Sequence, residues 1–308
     1  MPSLVNQALP GGTMLENYRI ARQISYGGFS IVYLAYDEHA QPFAIKEYMP
    51  QFMALRVADE KNITIPPIHL AAFERGLAYF FEEARVLSGL HHPNVMQVLN
   101  FFRANGTAYM VMPLERGRSL QAHIHAHRGT LHEDFIRQVF FKLLHGLAEV
   151  HRSGLLHLDL KPANIWLRAD NTPVILDFGA ARFAVDIGTP LPRAMYTPGF
   201  AAPEQYHGNY TLGPWTDIYA IGACIYAALA KAAPPAADER LKDDRLQPAR
   251  QRFSHLYSPA LLIAIDQCLN LPPAMRPQNA QALQVALANA TGTDKTAWLR
   301  KLRHLFQH

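Results

Sequence analysis

Three runs between Tyr18 and Tyr48 (YRIARQIS, SIVYLAYD and PFAIKEY) alternate or cluster apolar, β-branched and aromatic residues, and Gly27-Gly28 separates the first two. That pattern predicts a three-strand antiparallel meander. Residues 47–72 follow, and Pro50, Pro66 and Pro67 prevent one helix from crossing them. Residues 73–90 return to helical spacing, with Leu77, Phe80, Phe81, Ala84 and Leu87 on one face. Two further strand-like runs, VMQVLNFF and AYMVMPL, are joined by the turn-forming Ala104-Asn105-Gly106. Beyond Gly117 the pattern is mostly helical, broken over 155–204 by short apolar runs and loop-like stretches. The expected organisation is a loose leader over 1–17, a sheet-rich unit over 18–115, a larger helical unit over 116–290, and an amphipathic segment over 291–308.

At 308 residues the chain exceeds one ordinary domain and can bury a substantial core. The net charge of +4 is mild and the charges are scattered until the last residues, so nucleic acid is not an expected partner. Cys224 and Cys268 sit in apolar, helix-like surroundings without metal-ligand spacing, which points to buried thiols in a reducing compartment. The first residues lack the basic and long apolar regions of a secretory signal, and no run approaches a membrane span. A cytoplasmic protein is expected.

Several segments carry chemistry. Bare backbone at Gly27 and Gly28, in the stretch Ile24-Ser25-Tyr26-Gly27-Gly28-Phe29-Ser30, lets N–H groups approach phosphate oxygens, although two glycines between strands are ordinarily a hairpin turn. Lys46 is a single cation on an apolar strand. On the helix that follows, Glu83 has apolar neighbours at helical spacing and would face inward, whereas Glu82 reads as a solvated carboxylate. His157-Leu158-Asp159-Leu160-Lys161-Pro162-Ala163-Asn164 packs an acid, a base and an amide into a loop with apolar flanks. There Asp159 could take a proton from an acceptor, Lys161 could neutralise transferred charge, and Asn164 could ligate a metal. Asp177 ends the apolar run Val174-Ile175-Leu176, a suitable place for a hard cation.

In this order the segments resemble the eukaryotic-like protein kinases, especially bacterial serine/threonine kinases, over roughly 18–288. The series continues through Ala202-Pro203-Glu204, Asp217 and Arg276. The resemblance implies a two-lobed α+β fold that transfers the γ-phosphoryl group of ATP to Ser/Thr hydroxyls of protein substrates. It implies Mg²⁺, with Mn²⁺ as a substitute, held by Asn164 and Asp177. Asp159, Lys161, Lys46 and Glu83 would form the catalytic set, with Lys46 on the α- and β-phosphates and paired with Glu83. Ile24, Ser25, Gly27, Gly28, Ser30, Val32, Ala44, Met112 and Leu114 would contact the nucleotide. Glu204 and Arg276 would form a buried ion pair, and Asp217 would anchor the catalytic loop. Thr197 resembles the residue lining a Ser/Thr acceptor site.

Three departures qualify that reading. Ser25 and Ser30 stand where the family carries loop glycines, and serine restricts positive φ. Leu158 replaces the arginine that reads a phosphorylated activation loop. The 47–72 segment is long, and reads equally as an exposed loop or as a docking or regulatory element. Ser25, Ser30 and Leu158 support a rival, a pseudokinase serving as a nucleotide-binding or scaffolding module. In the basic amphipathic stretch at 291–308, residues 294–306 read either as a helix packed on the large lobe or as a contact with a partner or the inner membrane surface.

Overall fold

The computed structural model describes residues 8–57, 60–178, 196–206 and 211–288, and the backbone of 182–183. The expected 291–308 helix, Gly179 and Thr189 lie outside the described residues. The chain divides into two compact units, Met1–Arg116 and Gly117–His308.

The first unit is built on an antiparallel sheet of β1 (Met14–Leu15), β2 (Tyr18–Tyr26), β3 (Ser30–Tyr36), β4 (Pro42–Tyr48), β5 (Asn100–Ala104) and β6 (Thr107–Pro113), in the order β1-β2-β3-β4-β6-β5. Strands β2 to β4 are the expected meander. The run at 95–102 begins its strand only at Asn100, and β5 then turns into β6 through Asn105 and Gly106. Both adopt positive φ, as the tight turn of a short hairpin requires. Residues 8–17 are not merely a leader: Leu9 and Leu15 are buried, and β1 pairs with β2.

Register decides what each sheet face carries. Val32 pairs with Lys46, Ala44 with Met112, and Lys46 with Met110, so these side chains share one face. Helix α1 (Leu70–Gly89) serves that face, starting three residues earlier than the periodicity predicts because Pro67–His69 already turns as a 3₁₀ helix. It buries Phe73, Leu77, Phe80, Ala84 and Leu87, and Phe73 and Phe80 pack on the Tyr48 ring. On the opposite face lie Ile31, Tyr33, Ala35, Ile45, Glu47, Tyr109 and Val111, all fully buried. Glu47 there binds Arg56 from the 47–72 segment, so that segment is in part an integral layer of the unit rather than an exposed loop.

In the second unit, α2 (Leu120–Ala126), α3 (Glu133–Arg152), α4 (Pro203–Tyr206), α5 (Pro214–Ala230), α6 (Ala237–Arg240), α7 (Ala249–Arg252), α8 (Pro259–Cys268) and α9 (Ala280–Ala288) surround short strands. Those strands are β7 (Arg118–Ser119), β8 (Leu155–Leu156), β9 (Ile165–Leu167), β10 (Pro173–Ile175) and β11 (Arg182–Phe183). They pair as β10-β9-β7 and β11-β8. Helix α5 is apolar nearly all round and correspondingly buried. It approaches α8 so closely that a Cβ on Gly222 would meet the Cys268 Cβ at 2.3 Å, which explains glycine at that position. Helix α3 packs on α9, β10 and β8, and so backs the strand that leads into the loop between β8 and β9.

Candidate active site

In the first unit, Lys46 projects from β4 to the Glu83 carboxylate of α1, 3.6 Å away, with both side chains buried. Two carboxylates adjacent in sequence thus part company: Glu83 faces the lysine, while Glu82 hydrogen-bonds to Arg85 at the surface. That pairing lowers the Glu82 pKa. Val32, Ala44 and Met112 share the Lys46 face, and Leu114 follows the end of β6.

Ile24, Ser25, Gly27, Gly28 and Ser30 form the hairpin between β2 and β3. Neither Ser25 nor Ser30 adopts positive φ, and neither do Gly27 and Gly28. Serine's restriction of positive φ is therefore not engaged at these two places. A Cβ on Gly28 would meet nothing within 4 Å, so its bareness leaves open space beside the backbone. The hairpin is braced by the following segment. Gln51 Nε2 donates to Gly27 O at 2.9 Å, Gln51 N to Gly28 O at 3.0 Å, and Met49 N to Phe29 O at 2.8 Å.

In the second unit, the loop from β8 to β9 carries Asp159, Lys161 and Asn164. The Lys161 ammonium donates to Asp159 Oδ2 at 2.7 Å and to Thr197 Oγ1 at 2.8 Å. Thr197 Oγ1 in turn donates to Asp159 Oδ1 at 2.7 Å. Asn164 Nδ2 donates to the Asp159 carbonyl at 2.9 Å and to its Oδ2 at 3.2 Å. The Asn164 amide nitrogen is thereby committed to the loop, which leaves the amide oxygen as the atom for a ligand.

A buried anchor holds this loop. Asp217, fully buried on α5, accepts from His157 N at 2.9 Å, Leu158 N at 2.8 Å and His151 Nε2 at 2.8 Å. Burial disfavours its charge, but the hydrogen bonds from His151 and the His157 N–H outweigh burial and hold its pKa below the ordinary value. Gln205 Nε2 donates to Leu158 O at 2.8 Å. Leu158 itself has φ of 64°, a strained conformation for leucine that these contacts on both sides of its backbone hold in place. Its side chain packs with Leu156 and Leu212.

His157 Nε2 lies 3.0 Å from Leu176 O, and its ring meets Phe178 at 4.6 Å, which ties the Asp159 loop to the strand end that bears Asp177. Asp177 also adopts positive φ, 56°. Farther out, Arg276 grips Glu204 through two hydrogen bonds, 2.7 and 3.0 Å, with both side chains buried.

Asp177 and Asn164 offer hard oxygen donors, the type that suits Mg²⁺. The described residues contain no cluster of three or more His, Cys, Asp or Glu able to hold a metal. A donor set this sparse fits an ion that takes its remaining ligands from phosphate oxygens and water. Sequence reasoning missed Gln51, Gln205, His151 and the Glu47–Arg56 pair. Gln51 and Gln205 act on backbone, the Glu47–Arg56 pair spans an irregular segment, and His151 meets Asp217 across two helices distant in sequence, so none leaves a periodic signal.

Residues 18–287 match the protein kinase domain family, and the chain belongs to that family. It is 29% identical over 296 residues to serine/threonine-protein kinase pkn3 of Myxococcus xanthus, covering 90% of this chain and 50% of pkn3. It is 26% identical over 281 residues to serine/threonine-protein kinase cds1 of Schizosaccharomyces pombe, covering 87% of this chain and 58% of cds1. The chain thus spans about half the length of these curated relatives. Among solved structures, the apo form of PpkA-294 is similar with a TM-score of 0.80 and 35% identity, over 91% of this chain and 99% of that one.

Proposed function

We propose that the chain transfers the γ-phosphoryl group of ATP to serine or threonine hydroxyls of proteins, as a kinase lacking arginine before its catalytic aspartate. The observation that carries this is the Thr197–Asp159–Lys161 triangle. An aliphatic hydroxyl already rests on the Asp159 carboxylate at 2.7 Å, and a lysine bridges both. A substrate serine or threonine hydroxyl placed on the same carboxylate would have its proton accepted there as the oxygen attacks phosphorus. Lys161 then supplies positive charge beside the transferring group, and Lys46, held by Glu83, orients phosphates. Bound Mg²⁺, with Asn164 and Asp177 as its protein ligands, would neutralise phosphate charge. Phosphoryl transfer needs mainly such positioning and charge, and these groups provide both.

The test is incubation of the full chain with γ-labelled ATP, Mg²⁺ and both an acidic and a basic acceptor protein. Label on serine or threonine of an acceptor supports the proposal. Nucleotide-dependent stabilisation without any transfer would establish the scaffolding reading instead.

A further inference from the structure

A cavity of about 300 Å³ opens beside Thr197 in the second unit. Ile124 of α2, Pro162 and Ala163 of the loop between β8 and β9, Ala227 of α5, and Phe200 from the turn after Thr197 give it apolar walls. Among the described residues its charged lining is Lys161 and Lys231, with no aspartate or glutamate. Beside Lys161, the Asp159 carboxylate already pairs with that lysine and accepts from Thr197. Lys231 ends α5 at φ of 55°, and its exposed side chain donates to the His127 carbonyl at 2.6 Å, which fixes the ammonium at the rim without neutralising it.

We infer that this cavity selects the acceptor segment: it takes a large apolar side chain next to the phosphorylated serine or threonine, with an acidic rather than a basic residue beyond it. The inference rests on the kinase reading above and supplies its substrate class. Continuity carries the argument. Lys161 and Thr197 line the cavity and also touch Asp159, so a hydroxyl on Asp159 brings its neighbouring residue to the cavity mouth. Apolar walls reward a buried aliphatic or aromatic side chain. Lys231 attracts a carboxylate at the rim, whereas an arginine or lysine there would meet like charge from Lys231 and no carboxylate among the described lining residues.

The experiment uses serine peptides that differ only in flanks: apolar with glutamate, apolar with arginine, and alanine with glutamate, each with the flank placed before or after the serine. Two readouts run in parallel, kcat/KM for transfer and fluorescence anisotropy of labelled peptide binding to the full chain. The apolar–glutamate peptide is expected to exceed each of the others by about tenfold in one orientation. Lys231→Glu should reverse the choice between glutamate and arginine, and Ala232→Phe, which fills the mouth from an exposed position, should erase the apolar preference. Melting curves for both variants establish that they fold. An arginine-flanked peptide equal to or better than its glutamate counterpart in both readouts overturns the inference. Absence of transfer to every peptide defeats the kinase reading alone, and the anisotropy ranking still decides the cavity.

Discussion

The Arg56 guanidinium is locked onto the Glu47 carboxylate with both partners buried, immediately after Lys46 in the chain. Arg56 Nη1 donates to Glu47 Oε2 at 3.0 Å, and the Tyr33 and Tyr109 hydroxyls donate to the same carboxylate at 2.7 and 2.6 Å. Burial first, then the Glu47 charge, pushes both phenols above the ordinary tyrosine range. A strand position that would otherwise bury a lone carboxylate is thereby satisfied from a segment nine residues away.

Arg56→Ala should therefore cost about 3–5 kcal/mol of stability, because it strands a buried charge. The double variant Arg56→Met/Glu47→Leu should recover much of that loss, since both charges leave together. Denaturant unfolding of the three proteins checks the pair. An Arg56→Ala protein as stable as wild type would mean that the segment is not anchored there.

Gln51 links this anchored segment to the glycine hairpin, with its side chain on Gly27 O and its backbone on Gly28 O. Removing the side chain loosens the hairpin without emptying the core. Gln51→Ala should weaken ATP affinity about fivefold, the worth of one ordinary hydrogen bond, while the melting temperature stays near wild type. Nucleotide titration by calorimetry measures it. Unchanged affinity would show that the brace is dispensable.

Much of the arrangement is legible in the sequence, and what escapes has a physical reason. Glu83 and Glu82 are separated by helical period alone, since only Glu83 shares the buried face with Phe80, Ala84 and Leu87. The meander follows from two-residue alternation in SIVYLAY, whose Ile31, Tyr33 and Ala35 are the buried set. By contrast Arg56 lies in a proline-punctuated stretch with no period. Charge there reads as solvated, and the pairing with Glu47 depends on a chain path that local pattern does not encode. Gln205 is opaque for a related reason: its target is the Leu158 carbonyl, and backbone contacts leave no mark on composition.

Asp177→Asn should abolish phosphoryl transfer and the Mg²⁺-dependent part of nucleotide binding, with little loss of stability. The left-handed backbone at this position, φ of 56°, suits asparagine at least as well as aspartate, so the change removes charge and spares conformation. Thermal shift with ATP, with and without Mg²⁺, checks the outcome. A magnesium response equal to wild type sinks the metal assignment.

Asp217 contributes to the acid limb of the stability profile. Its folded pKa is depressed, so it favours the fold above the unfolded value of about 4 and loses that contribution as pH falls below it. Asp217→Asn lacks this dependence. The stability gap between wild type and Asp217→Asn should be widest near neutral pH and close progressively below about pH 4. Unfolding curves across that range decide it, and a gap that widens toward acid would contradict the assignment.

Phosphorylation of the segment between Asp177 and Pro203 should not raise the rate of the phosphoryl transfer proposed for this chain. Where a cation would read a phosphate, Leu158 is 2% exposed and packed with Leu156 and Leu212. Placing a phosphate beside those leucines without a partner would be unfavourable. Thr197 is the second reason: its oxygen already lies 2.7 Å from Asp159 Oδ1, so a phosphate there would set like charge against the Asp159 carboxylate and block the proposed acceptor position. Tyr196 is buried with its ring 4.7 Å from Tyr206, and Thr189 lies outside the described residues. Phosphatase treatment of the purified chain should leave initial rates within about twofold, roughly 0.4 kcal/mol of barrier. Thr189→Ala and Tyr196→Phe should leave the rate within the same range. A tenfold or greater fall on dephosphorylation would require a phosphate-reading cation elsewhere, and the inference from Leu158 would be wrong.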